Sequence, residues 1–201
     1  MVENVKNEAI LKTVSLNVAE PAAIGLFGLA VAAFVIGAGD LGLTSSLKSL
    51  MIPWVLMFGA TAQLTASLME FKRNNIFGAT VFGVYSMAMY SIALTLFISI
   101  FGGGAIDVAH YGFGLIALLV FTLIATVAST MTNKALFSIL IVVDIALIAL
   151  IPHYLTGTSP FIAGVFLMIT SVLSFYTGGA ILINTMAGKN VLPLGSPMWK
   201  P

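Results

Sequence analysis

Six apolar stretches, each about as long as a helix that crosses a bilayer, occupy most of this 201-residue sequence. A helix needs about 20 predominantly apolar residues to cross a hydrocarbon core of about 30 Å. The stretches are residues 21–39, 50–71, 76–101, 111–131, 135–152 and 160–185. This pattern predicts an all-α, polytopic membrane protein with six transmembrane helices, of which the fifth is the shortest.

Charged residues make up only 7% of the chain, whereas a typical soluble domain carries about 25%. A surface so poor in charge must face lipid, so a bilayer is the first predicted partner. The chain has no cysteine, which excludes disulfides and thiolate metal sites, and no pattern indicates a metal or a cofactor. A net charge of +1 without a run of Lys or Arg argues against a nucleic-acid partner.

The basic residues predict the orientation of the helices, because cytoplasmic loops of membrane proteins carry an excess of Lys and Arg. With six spans, both tails lie on the same side as the turns at 72–75 and 132–134. That side carries Lys6, Lys12, Lys72, Arg73, Lys134, Lys189 and Lys200, and the opposite side carries Lys48. Residues 1–19 and 188–201 are therefore predicted to be cytoplasmic tails of a transmembrane domain at 20–187, in the cytoplasmic membrane.

Three polar side chains lie deep within the predicted helices. Gln63 is the only amide well inside the second helix, and the phenols of Tyr85 and Tyr90 lie nine or more residues inside the third. A polar group without a partner is costly in hydrocarbon, so each must meet another helix or water. The sequence leaves structural packing and contact with a permeating solute open for all three.

A stripe of hydroxyl groups follows the fourth helix at four-residue spacing, at Thr122, Thr126 and Thr130, and a similar stripe on the sixth helix includes Ser174. Residues four apart share a helix face. Each stripe therefore either contacts a neighbouring helix or lines a water-filled path.

Asp144 lies near the middle of the almost wholly apolar stretch at 137–152. An ionised Asp at the centre of a membrane helix opposes insertion by roughly 2.5–3.5 kcal/mol. Three interpretations stay open. Asp144 is a protonated partner for a polar side chain on another helix, since burial favours the uncharged carboxyl group. Alternatively it couples proton movement to the movement of another solute, or it lies at an interface between subunits.

The segment "AEPAAIGL", residues 19–26, begins the first helix. Pro21 has no N–H, and the following residues, from Ala22, offer free backbone N–H groups beside small side chains. The positive end of a helix dipole can bind a small anion at such a place. The alternative is an ordinary helix start, in which the carboxylate of Glu20 occupies the anion position itself.

Three segments of the chain together resemble a known family. "AEPAAIGL" is similar to the family signature N-P-A-P-L-G-L. "FGATAQLTASLMEFKRNNIFGATVFGVYS", residues 58–86, resembles the family's alanine–glutamine helix, its Glu-aromatic-Lys turn and its Asn-x-Phe-Gly helix start. "AGKNVLPLG", residues 187–195, resembles its C-terminal Gly-basic-x-V-L-P-hydrophobic-G motif. On these motifs the chain resembles the acetate uptake transporters, also called succinate–acetate permeases.

The resemblance implies a six-helix protomer in a homohexameric ring, in which each protomer encloses its own path for small carboxylates such as acetate or succinate. It also implies a narrow apolar constriction formed by Leu29, Tyr85 and Val143, with Ser174 facing the same path.

The family's signature, a candidate anion site, corresponds here to Pro21, Ala22, Gly25 and Leu26. Glu20 stands where the signature has Asn, and Ala23 stands where it has a second Pro. In the turn between the second and third helices, the resemblance gives structural roles to Glu70, Asn75 and Gly78.

Transport of small carboxylates, acetate above all, is the function that the sequence favours, by a channel-like or a proton-coupled mechanism, with Gln63 and Tyr90 as polar contacts in the path. An enzyme is not expected, because an intramembrane serine hydrolase needs a Ser near a His within the membrane, and His110 and His153 fall in predicted loops. The alternative is a non-transporting membrane subunit of a larger complex, although the short loops leave little protein outside lipid for docking.

Overall fold

The computed structural model describes residues 18–44 and 48–199. Six of its helices are long and apolar enough to cross a membrane. They are α1 (Ala22–Asp40), α2 (Lys48–Lys72), α3 (Ile76–Phe101), α4 (Val108–Ser129), α5 (Lys134–Thr156) and α6 (Phe161–Ala187). The predicted all-α architecture with six helices is confirmed, and the described residues contain no strand. Lys6, Lys12, Lys200 and most of the predicted N-terminal tail lie outside the described residues, and the orientation of the termini stays a prediction.

Short polar side chains set where three of the helices begin. The side-chain oxygens of Asn75, Asp107 and Asn133 accept hydrogen bonds from backbone N–H groups in the first turns of α3, α4 and α5. Asn and Asp are preferred at such positions because they satisfy N–H groups that have no partner within the helix. At Asp107, which precedes α4, the Ala109 N–H and the ring of His110 hold the pKa of the carboxyl group below its usual range.

The fifth helix is longer than the sequence predicted. It continues past Pro152 to Thr156, and its 23 residues are enough to cross a hydrocarbon core. Proline removes one N–H from the helix ladder, yet the helix continues for one more turn, in which the Thr156 hydroxyl donates to the Pro152 carbonyl at 2.8 Å. Gly157, in the left-handed conformation at φ 73°, ends the helix. His153 therefore lies in the last turn of α5, and His110 lies in the first turn of α4, rather than in loops.

The second helix changes its winding along its length. It begins as a 3-10 turn (Lys48–Leu50), is α-helical over Met51–Trp54, widens to a π-helix over Val55–Ala62 and is α-helical again over Gln63–Lys72. Two carbonyl groups of the π-helix accept hydrogen bonds from side chains. Gln63 Nε2 donates to the Gly59 carbonyl at 2.7 Å, and Ser86 Oγ donates to the Ala60 carbonyl at 2.9 Å. Such π-turns are frequent at functional sites.

The first helix is the centre of the bundle. Half of α1 is buried within the protein, compared with about a third of each other helix. It packs most extensively against α6, where Ser171 Oγ donates to the Ala30 carbonyl at 2.8 Å. Against α2, Gly28 approaches so closely that a Cβ atom on it would lie 2.4 Å from the carbonyl oxygen of Phe58. Small residues allow this approach between membrane helices, where close packing replaces the hydrophobic effect.

The C-terminal segment folds back onto the bundle. The Asn184 side chain accepts hydrogen bonds from the N–H groups of Val191 and Leu192 and donates to the Leu192 carbonyl. The Tyr176 hydroxyl donates to the Pro193 carbonyl at 2.7 Å. The motif "VLPLG" is therefore held to the ends of the helices by specific polar contacts.

Candidate functional site

Two small cavities lie in the bundle, one toward each end of α1. The cavity nearer Glu20, here called the Glu70 cavity, has a volume of about 60 Å³ and is lined by α1, α2, α3 and α5, including Leu29, Glu70 and Tyr85. The cavity at the opposite end, the Asp40 cavity, has a volume of about 40 Å³. A space of about 15 Å³ is enough for one water molecule, so each cavity can hold water or a very small solute.

A buried apolar layer separates the two cavities. Leu29 on α1 and Tyr85 on α3 line the Glu70 cavity, whereas Ile36 and Ile92, each seven residues further along its helix, line the Asp40 cavity. At a rise of 1.5 Å per residue the separation is about 10 Å. Buried side chains fill this interval, among them Met89. The bundle is therefore closed between the two cavities.

The predicted constriction residues share one core. Leu29, Tyr85 and Val143 are all buried, at 7%, 4% and 8% exposure, in a single apolar cluster. Val143 lies one turn beyond Ile139 and Leu140, which line the Glu70 cavity. The three residues thus lie where the Glu70 cavity ends, but their role as a constriction stays a prediction.

The Glu70 cavity contains two buried polar side chains with unused oxygens. Gln63 and Glu70 are both 0% exposed, and Oε1 of each has no hydrogen-bond partner. Glu70 Oε2 accepts a hydrogen bond from Asn75 Nδ2 at 2.9 Å, while Asn75 Oδ1 accepts one from the Gly78 N–H. Gly78 makes room for this arrangement, because a Cβ atom there would lie 2.9 Å from Glu70 Cδ. These contacts also place a carboxyl group in the cavity, and the structural role of the turn stays a prediction.

The start of α1 carries its own carboxylate. Pro21 precedes the helix, which begins at Ala22, and Glu20 Oε1 accepts a hydrogen bond from the Ala22 N–H at 3.3 Å. Glu20 Oε2 also lies 2.6 Å from Arg73 Nη1. Glu20 therefore accepts from one of the free N–H groups at the start of α1, and the role of this motif as an anion site stays a prediction. Gly25 and Leu26, from the same motif, are buried.

A second ion pair lies at the other end of α1. Lys48 Nζ is 3.1 Å from Asp40 Oδ1, and both residues line the Asp40 cavity. The Asp40 side chain is 7% exposed and that of Lys48 is 29% exposed. Since α1 and α2 run antiparallel, the pairs Glu20–Arg73 and Asp40–Lys48 hold the two helices together at both ends.

Removing the cation of the second pair tests its contribution to stability. In Lys48→Met, the buried Asp40 carboxylate loses its partner, and we expect the free energy of unfolding to fall by about 1–3 kcal/mol. Thermal unfolding in detergent measures this loss. Lys48→Arg keeps the charge and serves as the control, and adding Asp40→Asn to Lys48→Met should restore most of the stability. A Lys48→Met protein as stable as the wild type would contradict the prediction.

The hydroxyl stripe on α4 bonds two neighbouring helices. The Tyr85 hydroxyl donates to Thr122 Oγ1 at 3.0 Å, and Thr126 Oγ1 donates to Asp144 Oδ2 at 2.7 Å. Asp144 is 6% exposed, its Oδ1 has no partner, and it does not line either of the two cavities. Of the two interpretations of the stripe, contact between helices accounts for Thr122 and Thr126.

The other predicted path residues lie apart from the cavities. The Tyr90 hydroxyl is 3.2 Å from Thr61 Oγ1, which lies at the exposed side of α2. Ser174 is fully buried on α6, and its hydroxyl has no partner among the described residues. Neither residue lines the Glu70 cavity or the Asp40 cavity, so their roles in a path stay predictions.

Sequence reasoning missed the charged residues at the helix ends. In the sequence, Arg73 and Lys48 indicate only the orientation of the helices, and no role is predicted for Asp40. A signal was present, because two antiparallel helices joined by a short loop place residue 20 near residue 73 and residue 40 near residue 48. Opposite charges at both positions indicate the two ion pairs that the structure contains.

Similar proteins are found by sequence and by structure. Residues 3–194 match the model of the GPR1/FUN34/yaaH family. A protein of Methanothermobacter thermautotrophicus is 28% identical over 195 residues, which are 90% of this chain and 93% of that protein. The succinate-acetate/proton symporter SatP of Escherichia coli is 26% identical over 188 residues, 88% of this chain and 95% of SatP. The structure of the bacterial acetate channel SatP has the same fold, with a TM-score of 0.82 and 24% identity over 89% of this chain and 100% of that chain.

Proposed function

Since the chain belongs to the GPR1/FUN34/yaaH family, we propose that it carries small carboxylates, acetate above all, across a membrane. A relative over nearly its whole length is a succinate-acetate/proton symporter, and the protein with the same fold is an acetate channel. The chemistry is binding and desolvation, and no covalent bond of the substrate is made or broken beyond the transfer of a proton. The protein is accordingly not an enzyme.

The arrangement of the cavities along α1 is the observation that carries this proposal. Two small cavities with a few polar groups lie toward opposite ends of the bundle, and Leu29, Tyr85 and Val143 pack where one of them ends. Their volumes, about 60 and 40 Å³, fit a solute of a few heavy atoms. A passage with a narrow apolar centre selects on size and on the cost of dehydration. Small carboxylic acids meet both conditions better than larger metabolites.

Assembly and location follow from the same proposal. The resemblance to the acetate uptake transporters supports a homohexamer in the cytoplasmic membrane with both termini in the cytoplasm. Many large apolar side chains on the outer faces of the helices are exposed in the protomer, as expected for surfaces that meet lipid or further copies of the chain. Each protomer contains its own pair of cavities, so the proposed path does not require a central pore.

Uptake of labelled acetate into proteoliposomes tests the proposed function. We expect uptake and acetate counterflow well above those of protein-free liposomes, at a pH at which acetate is mostly ionised. The protein-free control is essential, because neutral acetic acid crosses lipid unaided. Flux no greater than this blank would contradict transport and would favour the alternative of a non-transporting membrane subunit.

Asp144 keeps the three roles considered for it, as a link between helices, as a site of proton coupling or as a residue at an interface between subunits. Asp144→Asn keeps an oxygen that can accept the Thr126 hydrogen bond but removes titration. Because Asp144 does not line either cavity, we expect the variant to take up acetate with the same pH dependence as the wild type. A loss of uptake driven by a proton gradient, with the fold intact by size-exclusion chromatography, would instead assign proton coupling to Asp144.

A further inference from the structure

Gln63 Oε1 and Glu70 Oε1, the two oxygens in the Glu70 cavity that have no hydrogen-bond partner, restrict what can bind there. Gln63 Nε2 donates to the Gly59 carbonyl, which fixes the amide, because the reverse orientation would place two oxygens against each other. Gln63 Oε1 therefore accepts hydrogen bonds and cannot donate them. Buried polar atoms of this kind normally have a partner. An occupant of the cavity that satisfies Gln63 Oε1 must be a hydrogen-bond donor, and a carboxylate anion has no hydrogen to donate.

The charges around Glu70 do not balance when Glu70 is ionised. Arg73 is the one Lys, Arg or His within 4.0 Å of the Glu70 carboxyl group in residues 18–44 and 48–199. Its guanidinium lies 2.6 Å from Glu20 and 4.0 Å from Glu70, so two carboxyl groups share one cation. Gln63, Asn75 and Tyr85 are the other polar residues that line the cavity, and α5 contributes only apolar side chains. A proton on Glu70 makes the Glu20–Arg73–Glu70 group neutral.

The two polar residues lie at different depths. Seven residues separate Gln63 from Glu70 within one α-helical segment, which places them on the same helix face about 10 Å apart. Glu70 lies at the Glu20 end of the bundle, and Gln63 lies deeper, at the start of the α-helical segment that follows the π-helix within α2. A solute that enters the cavity from the Glu20 end thus meets the carboxyl group before the amide.

We propose that Glu70 protonates the entering carboxylate and that Gln63 Oε1 receives the resulting neutral acid by accepting its O–H hydrogen bond. The proposal rests on the proposed function. The O–H bond of the Glu70 carboxyl group breaks, an O–H bond forms on the substrate carboxylate, and Glu70 is left as an anion beside Arg73. Water at the Glu20 end then returns a proton to Glu70. One proton accompanies each carboxylate, and the species that crosses the layer at Leu29 and Tyr85 is uncharged.

The pH dependence of uptake tests this proposal. The undissociated fraction of a weak acid falls about tenfold for each pH unit above its pKa. In Glu70→Gln, the protein no longer supplies a proton, so uptake after subtraction of the protein-free blank should fall about tenfold per pH unit. The wild type should lose much less over the same range. Asp107→Asn, which removes an exposed carboxylate outside the helices, is the matched control and should follow the wild type.

The outcomes separate this proposal from the proposed function. No flux by the wild type above the blank contradicts transport itself. Wild-type flux together with an unchanged pH profile in Glu70→Gln overturns only the role of Glu70. A folded Glu70→Gln protein that is inactive at every pH also overturns it, because the carboxyl group would then serve passage rather than proton supply.

A measurement on the wild-type chain covers the case in which Glu70→Gln does not fold. Dicyclohexylcarbodiimide reacts with protonated carboxyl groups in apolar surroundings. We expect it to modify Glu70 at the pH values at which the protein transports acetate, and acetate in the medium should slow the modification. Peptide mass analysis locates the modified residue. An unmodified Glu70 in a protein that still transports overturns the proposal.

Discussion

Tyr85→Ala is expected to admit carboxylates larger than acetate and to reduce the preference for acetate by about tenfold. Apolar sites discriminate between substrates that differ by one or two methylene groups on this scale. The Tyr85 ring is 4% exposed and packs edge-on against Phe121 with ring centroids 5.8 Å apart, at the end of the Glu70 cavity. Removing the ring leaves a space in the layer between the cavities. The measurement is the ratio of acetate to succinate uptake in proteoliposomes, each corrected for the protein-free blank.

Tyr85→Phe is the matched control, because it keeps the ring and removes only the hydroxyl that donates to Thr122. Thr122 still donates to the Leu118 carbonyl, so the loss leaves one weak acceptor unused. We expect Tyr85→Phe to keep the wild-type ratio. An unchanged ratio in Tyr85→Ala would show that the size limit lies at another point of the path.

Gly28→Ala is expected to have a larger effect on stability than the other glycine-to-alanine substitutions within the helices. The new Cβ atom would lie 2.4 Å from the Phe58 carbonyl oxygen and 3.0 Å from Ala62 Cβ. Backbone cannot move aside as the end of a side chain can, so α1 and α2 must separate. Overpacking of this kind costs about 1–3 kcal/mol, and thermal unfolding of the purified protein in detergent measures the loss.

Gly114→Ala provides the control for this substitution. Gly114 lies within α4, and a Cβ atom on it would meet nothing within 4 Å. Alanine is favoured over glycine in a helix by about 1 kcal/mol, so this variant should be as stable as the wild type or more stable. If both variants were equally stable, the contact between Gly28 and the π-helix would not limit the packing of α1 against α2.

Several features of the site could be anticipated from the sequence because they depend on residues close together in the chain. Asn75 caps α3 through a bond to Gly78, three residues later, and Glu20 reaches the N–H of Ala22, two residues later. Both contacts are local and follow from the types of side chain at a helix start.

The partner of Asp144 and the position of Glu70 in a cavity could not be predicted in the same way. Thr126 lies 18 residues from Asp144, and the rotation of α4 against α5 decides that the two side chains meet. Glu70 reads in the sequence as part of a turn, but the π-helix in α2 changes the rotation of the residues around it. The hydropathy pattern contains no sign of that π-helix, since an α-helix and a π-helix of the same residues are equally apolar.

The sequence by itself determined the class of the protein, the number of its helices and most of their ends. The thickness of a bilayer sets the length of a helix that crosses it, and the cost of unpaired backbone groups in lipid excludes most other structures. Only the tertiary structure decided which polar groups share a cavity, which carboxyl group has a cation and where the bundle is closed. Those features depend on the approach and rotation of whole helices. In lipid, close packing at small residues such as Gly28 sets that approach, and the hydrophobicity of the chain contributes little to it.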